Sequence, residues 1–501
     1  MALDQAHTKD EPVLETLANW AAEASAEWPE LARERAAQAI EDTVACMVAG
    51  ADDLCPVKVR KGITHWGSGT SSVVGQSEKA PAPWAAMANG AAAHALDYDD
   101  NVQVVLGHTS AVQVPALLAL GEAVGATGKQ VVDAYIIGFE IGMALGRGVN
   151  WSHYNIGWHS TSTIIEIATA GACARLLGLD RAGMAHALSL GTSMAGGPKA
   201  QFGSMAKSFH AGLAAQQAIT SAQLAAAGLE GRMEVLEAPM GFLELFGGKF
   251  PPGWENALDG FGETLAILEH GIVPKRHPCC ASTHKCLDAV LDLRREHGFT
   301  ADQVDSVHTV VGSSNKRNLS YDDPQNDREA KFSMQYCLAL GLVQDHLRIA
   351  DFAPEAVSRP ELRALIPRIT MDAFPVERER AGETPPDHEV TVRLKDGTVL
   401  DNIHMEDVIK VPERSRNLEK KDDIRWEQEE DEGVDLDGDE IDRADIRRSP
   451  GEMLEDAGAK VRAKEQAPDP EIWFGNVTEY SQKAEHHFVH APQPVVAWMA
   501  I

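Results

Sequence analysis

The chain has few aromatic residues and no long apolar run. Aromatic residues make up 6% of its 501 residues, whereas hydrophobic residues make up 44%. A composition rich in alanine and glycine and poor in aromatic side chains favours close-packed helices over an aromatic-rich β-sandwich. Because no run of about 18 apolar residues occurs, we expect no transmembrane helix and no membrane partner.

Positive charge is also scarce. The chain has 45 Lys and Arg against 75 Asp and Glu, a formal net charge of −30. Binding to a phosphate backbone requires a basic surface, so we expect no nucleic-acid partner. An anionic substrate would need a local cluster of Lys, Arg and His to overcome the overall negative field.

The seven cysteines lack CxxC spacing, and the opening MALDQAHTKDEP lacks the basic-then-apolar order of a signal peptide. Both features favour a reducing cytoplasm. The closest cysteines are Cys279, Cys280 and Cys286, with His277 and His284 nearby. Neighbouring cysteines are poorly placed for one tetrahedral ion, so we predict no metal site there.

Three further motifs are incomplete. No Walker loop or GxGxxG in a strand–turn–helix context is present, so we predict no phosphate-containing or dinucleotide cofactor. The GTSMA segment resembles a nucleophile elbow but lies in an alanine-rich helical setting. The glycine of DLDGDEID is misplaced for an EF-hand loop.

The first 250 residues have helical periodicity. In the segment after Pro29, one apolar stripe contains Leu31, Ala37, Ile40, Val44 and Met47, and Gly50 marks its end. Alanine-rich segments predict further helices at 84–96, 112–125, 129–148, 161–177, 182–195 and 207–228. We expect the connecting loops at 97–107, 150–157 and 196–203.

The pattern changes after Pro251. DQVDSVHTVVG alternates like a strand, and EVTVRLKDGTVL predicts a hairpin around Asp396-Gly397. Helices are predicted at 330–343 and 360–365, and another after KRHPCC with Ser282 or Thr283 as its cap. The fold class is therefore mainly α, with a large all-helical domain and a smaller α+β domain.

We place the all-helical domain at 1–265, the α+β domain at 266–412 and an acidic C-terminal extension at 413–501. Residues 421–450 contain 13 acidic and 5 basic residues, a balance of −8. Such a composition favours a partly disordered segment, although apolar residues near its end suit docking on the helical domain.

Polar residues that suit acid–base chemistry border the predicted loops. They comprise Asp97, Asp99, Asp100, His108, His159, Lys207 and His210. Histidine titrates near neutrality, and desolvation can lower the pKa of a lysine. Each residue alone is more often a satisfied polar group at a helix end, but the set predicts an acid–base site. Lys275, Arg276 and Lys331 supply candidate cations for an anionic substrate.

Six motifs between about residues 12 and 410 are similar to those of the MmgE/PrpD family. They are HALDYDD…GHTSAVQVPALLALGEA, GWHSTSTI, MAKSFHAGLAA, GFLELFGG, PCCASTHKCLDA and EAKFSMQYC. The family includes 2-methylcitrate dehydratases, cis-aconitate decarboxylases and iminodisuccinate epimerases. The resemblance implies an all-helical domain with a smaller α+β lid, a homodimer, and no metal or organic cofactor.

The resemblance also implies a site between the domains. It would contain Asp97, Asn101, His108, His159, Lys207 and the PCCASTH segment with Cys280 and His284. We add Thr109, His210, Lys275 and Arg276 as candidate substrate-binding residues. Lys207 and His159 would act as base or enolate stabilisers, His108 as the opposing proton donor, and Asp97 as an orienting group.

Three functions fit these residues. The first is a cofactor-independent lyase, a dehydratase or decarboxylase, that acts on a small di- or tricarboxylate. The second is an epimerase of an amino- or imino-dicarboxylate that uses the same site. The third is a non-catalytic binding protein in which the acidic extension recruits a partner.

Overall fold

A computed structural model describes residues 11–258, 260–375 and 387–402 of the chain. Its first part is helical, as the periodicity predicted. The helices are α1 (Val13–Glu23), α2 (Glu30–Gly50), α3 (Leu54–Ile63), α4 (Ala82–Ala93), α5 (Ser110–Val124), α6 (Gly128–Val149), α7 (Ser152–Ile156), α8 (Ile164–Leu176), α9 (Arg181–Met194), α10 (Met205–Ala226), α11 (Phe242–Phe246), α12 (Trp254–Ala257) and α13 (Ala266–Glu269). A short antiparallel pair, β1 (Ser71–Ser72) and β2 (Lys79–Ala80), precedes α4.

Helix α2 follows Pro29 and ends at Gly50, as predicted. Its buried face differs from the predicted stripe, however. Ile40 and Met47 are buried, whereas Leu31, Ala37 and Val44 are half-buried. The small residues Ala32, Ala36, Ala39 and Thr43 take their place in the core. Small side chains allow close helix contacts, so hydrophobicity alone does not identify the packed face.

Helices α4 and α10 make the closest contact that bears on the site. A Cβ atom built on Gly90 would lie 2.8 Å from the Cα atom of Gly212, so both positions require glycine. The chain leaves α4 towards Asp97, and α10 begins just before Lys207. The main-chain contact therefore fixes the distance between these two parts of the site.

The second part of the chain mixes helices and strands. Its helices are α14 (Ala281–His297), α15 (Ser313–Asn318), α16 (Asp327–Ala330), α17 (Met334–Val343), α18 (Pro354–Val357) and α19 (Pro360–Leu365). Its strands are β3 (Val304–Val311), β4 (Ile369–Ala373), β5 (Glu389–Leu394) and β6 (Val399–Asn402). Short 3₁₀ turns at Ala301–Gln303, Ile349–Phe352 and Ile366–Arg368 connect some of them.

The four strands form one sheet in the order β4-β3-β5-β6. Strand β3 pairs in parallel with β4, with Val307 opposite Ile369. On its other side β3 pairs antiparallel with β5, with Val307 opposite Val392, and the predicted hairpin joins β5 to β6. Helices α14 and α17 pack against each other and bury their apolar faces in the core beside this sheet.

The described residues bury apolar side chains in two clusters. One cluster runs from Val13 to Ile267, and the other is formed by residues 279–392 together with Phe202. The mainly α prediction is confirmed. Ala266 and Ile267, which begin the predicted α+β domain, pack with the first cluster.

Two local predictions are wrong. Helix α14 begins at Ala281 with Cys280 as its N-cap, not at a Ser282 or Thr283 cap. The predicted loop 150–157 contains the short helix α7, in which His153 is buried and bonds Phe246 and Thr163. A tertiary contact thus orders a segment that local sequence assigns to a loop.

The acidic extension and its DLDGDEID motif lie outside the described residues. Within the ranges that the structure describes, no helix combines the length and apolar character needed to cross a membrane.

Candidate active site

Asp97 follows α4 in the chain, and its carboxyl group lies between two lysines. Its carboxylate forms an ion pair with Lys207, and its Oδ2 atom lies 3.1 Å from Nζ of Lys275. Lys275 also donates to the main-chain oxygen of Asp97 at 2.6 Å. Burial opposes ionisation of Asp97, but Lys207 and Lys275 outweigh it and hold the pKa of the carboxyl well below its usual range.

The lysines around Asp97 outnumber the carboxylates that pair with them. Lys207, Lys275 and Lys331 are all buried. Lys331 donates to the main-chain oxygen of Ala95 at 3.1 Å, and burial lowers its pKa. Of the described carboxylates, Asp97 alone forms ion pairs with this group. A buried surplus of ammonium groups is costly unless an anion binds to it, so the arrangement suits a carboxylate ligand.

His108 and His94 share one carboxylate. The Nδ1 atom of His94 lies 2.8 Å from Oδ2 of Asp99, and Nδ1 of His108 lies 3.2 Å from the same oxygen. The two rings are 4.5 Å apart. Burial lowers the pKa of His94 to about 3 and also lowers that of His108. Burial therefore favours the neutral form of both imidazoles.

His159 and His210 form a second imidazole pair. Their Nδ1 atoms are 3.1 Å apart, so one ring donates to the other. Burial and the charge of Lys207 hold the pKa of His159 well below its ordinary value, and they lower that of His210 to about 4. The Nε2 atom of His159 is buried without a hydrogen-bond partner in the structure. It thus offers a hydrogen-bonding position next to Lys207 and Phe202.

The side chain of Asp100 bonds Ser110, whereas its main-chain oxygen contacts His108. Its carboxyl accepts from the main-chain nitrogen of Ser110 at 3.1 Å and from the Ser110 hydroxyl at 2.6 Å. Burial raises the pKa of Asp100 to about 7. Asp100 therefore caps the start of α5 and holds it close to the aspartate segment.

The remaining candidates take different positions. Asn101 pairs through its main chain with Val273, and Thr109 is buried at the start of α5 with its hydroxyl unpartnered.

The other candidates lie in the second part of the chain. Arg276 is 57% exposed and pairs with Asp288 at 3.0 Å. Cys280 is buried, and its main-chain nitrogen donates to the oxygen of Lys331 at 2.9 Å. His284 lies 3.2 Å from the main-chain oxygen of Cys279.

Aromatic rings complete the wall next to Lys207. The Phe202 ring lies edge-on to His159 at 5.1 Å. The Nζ atom of Lys207 is 5.4 Å from the Phe202 ring and 5.2 Å from the Phe332 ring. Phe202 and Phe332 belong to the second core, whereas Lys207 lies on α10, which packs in the first core. Residues of both cores therefore meet at this lysine.

Two groups of side chains have spacing that a metal ion could use. Nitrogens of His94, His108 and His159 lie within 4.8 Å of one another, as do donor atoms of His94, Asp97 and Asp99. Lys207 and Lys275 already occupy the Asp97 carboxylate, and their charges repel a divalent cation. These side chains therefore suit an anionic ligand that exchanges protons with them better than they suit a metal ion.

His94 was absent from the sequence-based set, and Asp99 was named there without a role. Both residues are fully buried. His94 ends the alanine-rich run of α4, and its signal was the short spacing to the three aspartates that follow. The sequence shows that Asp99 is polar, but only the folded structure shows that its carboxylate contacts two histidines.

Comparisons with known proteins support the resemblance. Residues 15–255 match the MmgE/PrpD N-terminal domain, and residues 277–422 match the MmgE/PrpD C-terminal domain. A cis-aconitate decarboxylase of Mus musculus is 27% identical over 353 residues, which cover 67% of this chain and 70% of that protein.

Two other relatives extend the comparison. A cis-aconitate decarboxylase of Aspergillus terreus (strain NIH 2624 / FGSC A1156) is 28% identical over 409 residues, 76% of this chain and 82% of that protein. A mitochondrial 2-methylcitrate dehydratase of Yarrowia lipolytica is 26% identical over 294 residues, 55% of this chain and 54% of that protein. The two domain matches together cover most of the sequence, and the chain belongs to the MmgE/PrpD family.

Proposed function

We propose that this protein is a lyase that acts on a small di- or tricarboxylate by moving a proton next to a carboxylate group. The observation that carries the proposal is the pairing of two buried lysines with Asp97, with a third buried lysine, Lys331, on the main-chain oxygen of Ala95, beside four buried or nearly buried imidazoles. This site offers positive charge for a polyanion and proton carriers for its carbon atoms.

The lysines suit the binding of substrate carboxylates and the stabilisation of negative charge that develops on the substrate. Lys275 and Lys331 donate to main-chain oxygens of the Asp97 segment, which limits their movement. Lys207 is held by Asp97, as expected for an orienting group. Donors that are fixed before the substrate binds stabilise a developing enolate without reorganisation.

The imidazoles suit proton transfer. Burial lowers the pKa values of His108 and His159 and so favours their neutral forms. A bound polyanion raises these values, because a nearby negative charge favours the imidazolium. We therefore assign His108 as the proton donor once substrate is bound, and His159 with Lys207 as base or enolate stabilisers.

Decarboxylation of cis-aconitate is the first reaction to test, since several relatives carry that name. In this reaction the bond to one carboxylate breaks, CO2 leaves, and the electron pair stays on the substrate until a proton reaches carbon. Dehydration is the second reaction, because another relative is named 2-methylcitrate dehydratase. These steps use the proton carriers of this chain, and we propose that no metal or organic cofactor takes part.

Epimerisation is a second candidate function. His108 and His159 are separate neutral imidazoles whose rings are 6.3 Å apart. Two bases at different positions around one carbon could remove a proton from one face and return it to the other. The same residues would then catalyse exchange without loss of CO2 or water.

NMR in heavy water distinguishes these reactions. The protein is incubated with citrate, cis-aconitate, 2-methylcitrate and iminodisuccinate in turn. Loss of CO2 or water supports a lyase, and deuterium exchange without net reaction supports an epimerase. Absence of both with all four compounds would contradict the proposed function and favour a binding protein.

Variants test the assignment of the site. We expect Lys207→Ala and His159→Ala to lose at least about 100-fold in kcat/KM. Lys285→Ala is a matched control, because Lys285 pairs with Asp387 at 3.4 Å and is partly exposed. Full activity in both site variants would show that the chemistry takes place elsewhere.

We further propose that the α+β part, residues 266–412, acts as a lid on the helical part, residues 1–265. Support comes from Lys275, Lys331 and Phe332, which contribute to the site from that part of the chain. A cytoplasmic homodimer is proposed from the family resemblance, and light scattering during size-exclusion chromatography tests its mass.

A further inference from the structure

The buried residues His94 and Asp99 have no role in the mechanism described above. His94 ends α4, and Asp99 lies in the segment that also contains Asp97. The His94 ring lies 4.5 Å from the ring of His108 and 5.7 Å from that of His159. His94 therefore belongs to the same group of imidazoles as the two proposed catalytic histidines.

The hydrogen bonds define the protonation of both rings that contact Asp99. Nδ1 of His108 lies 2.7 Å from the main-chain oxygen of Asp100, which can only accept. This nitrogen therefore carries the proton, and it also faces Oδ2 of Asp99 at 3.2 Å. Nδ1 of His94 faces the same Oδ2 atom at 2.8 Å and carries a proton for the same reason. In both rings the lone pair is on Nε2.

The polar atoms of His94 and Asp99 that do not face each other lack hydrogen-bond partners. Nε2 of His94 and Oδ1 of Asp99 are both buried without a hydrogen bond in the structure. A buried polar atom without a partner costs roughly 1–3 kcal/mol, so such atoms are retained where a ligand or a reaction uses them. The side of His94 away from Asp99 is thus free to exchange a proton.

We propose that Asp99 positions His94 and His108 as a pair of proton-carrying imidazoles that both exchange their proton at Nε2. This inference rests on the proposed function and adds a residue, His94, to its proton-transfer machinery. Asp99 acts through the two rings, because it fixes their tautomers and stabilises the imidazolium that forms on either one.

One proton is consumed for each CO2 released, and the balance is the same whichever of the two rings carries that proton. A neutral imidazole takes up a proton at Nε2 when a polyanionic substrate binds, and becomes an imidazolium that still donates from Nδ1 to Asp99. When the carbon–carbon bond breaks and CO2 leaves, the electron pair on the substrate accepts that proton. The imidazole returns to its neutral form, and water supplies the next proton.

Kinetics of two variants test the proposal. Asp99→Asn removes the charge that stabilises the imidazolium, and His94→Gln keeps a donor near Asp99 but cannot carry a proton. We expect each to lower kcat by about 100-fold while KM stays within about threefold, since neither residue binds a carboxylate of the substrate. His388→Gln is the matched control, because His388 is buried in the second core.

NMR of protein labelled with ¹⁵N-histidine gives a readout that does not depend on activity. In the wild-type protein the signals of His94 and His108 should be those of neutral imidazoles with the proton on Nδ1, and both signals should move in Asp99→Asn. An Nε2–H tautomer at His94 or His108 would overturn the proposal, as would unchanged kcat in both variants. A wild-type protein that converts none of the four carboxylates would overturn the proposed function instead, and the tautomers would still decide the arrangement.

Discussion

The side-chain nitrogen of Lys275 contacts both the main-chain oxygen and the carboxylate of Asp97. Its Nζ atom is 2.6 Å from the main-chain oxygen of Asp97 and 3.1 Å from the carboxylate oxygen Oδ2. The two residues are 178 positions apart in the chain. Asp97 has a φ of 53°, a conformation that residues other than glycine rarely adopt. A long-range contact thus secures an unusual backbone conformation at the centre of the proposed site.

Lys275→Met should therefore reduce both stability and substrate binding. The variant leaves the main-chain oxygen of Asp97 without its donor and removes one of the two cations at the carboxylate. We expect the free energy of unfolding to fall by roughly 3 kcal/mol, as measured by chemical denaturation. Lys285→Met, at the partly exposed pair with Asp387, should change it by less than about 1 kcal/mol. Equal losses in the two variants would contradict this prediction.

The buried imidazoles predict a loss of stability in acid. The pKa of His94 is about 3 in the folded protein, whereas an unfolded histidine has a pKa of about 6.5. Between these values the unfolded chain binds more protons, so stability is complete above the unfolded pKa and falls as the pH falls towards the folded pKa. We expect His94→Gln to have a weaker pH dependence than the wild type between about pH 7 and about pH 5. Parallel curves would show that folding does not lower the pKa of His94.

Glu166 predicts the opposite dependence. It lies on α8 with no exposed surface, and neither carboxyl oxygen has a hydrogen-bond partner in the structure. Burial holds its pKa well above the ordinary value, so the folded protein keeps it protonated. Its stability contribution is complete below the unfolded pKa of about 4.3 and is lost as the pH rises towards the folded pKa.

The corresponding test is Glu166→Gln, which is neutral at every pH. Its advantage in the free energy of unfolding over the wild type should grow between about pH 5 and about pH 8. Glu30→Gln is a suitable control, because Glu30 is exposed and pairs only with Arg33 on the same helix. An advantage that stays constant with pH would mean that Glu166 is ionised in the folded state.

The contact between α4 and α10 predicts a large effect from one methyl group. Gly212→Ala would place a Cβ atom against the main chain of Met87, which cannot move without shifting α4. We expect a loss of roughly 3 kcal/mol and a fall in activity, because Lys207 moves with α10. Gly62→Ala, on the exposed face of α3 with no atom nearby, should be neutral or stabilising by up to about 1 kcal/mol. A tolerated Gly212→Ala would show that the helices separate easily.

The sequence predicted the long helices well because their alanine-rich periodicity extends over several turns. Helix α6 spans Gly128–Val149, close to the predicted 129–148, and α10 spans Met205–Ala226, close to 207–228. Strand β4 was missed because its partner β3 precedes it by many residues and no turn joins them. Local patterns report helices and hairpins, whereas parallel pairing depends on tertiary structure.

The sequence suggested residues for the proposed site but not the contacts between them. Lys275 and Arg276 are adjacent and looked equivalent in the sequence. In the structure, Lys275 is buried on Asp97, whereas Arg276 is largely exposed and pairs with Asp288. His94 was hidden in an alanine-rich helix whose other side chains pack in the core. Burial and long-range partners separate these residues, and neither can be read from spacing.

The glycine contact between α4 and α10 has a consequence for how such a site can change over evolution. Main-chain atoms at Gly90 and Gly212 set the separation of the two helices, so that separation does not depend on the side chains that line the site. Substitutions at the proposed substrate-binding positions Asn101, Thr109 and Cys280 would then leave the separation of the two helices unchanged. A backbone contact thus sets the frame of the proposed site independently of the side chains proposed to line it.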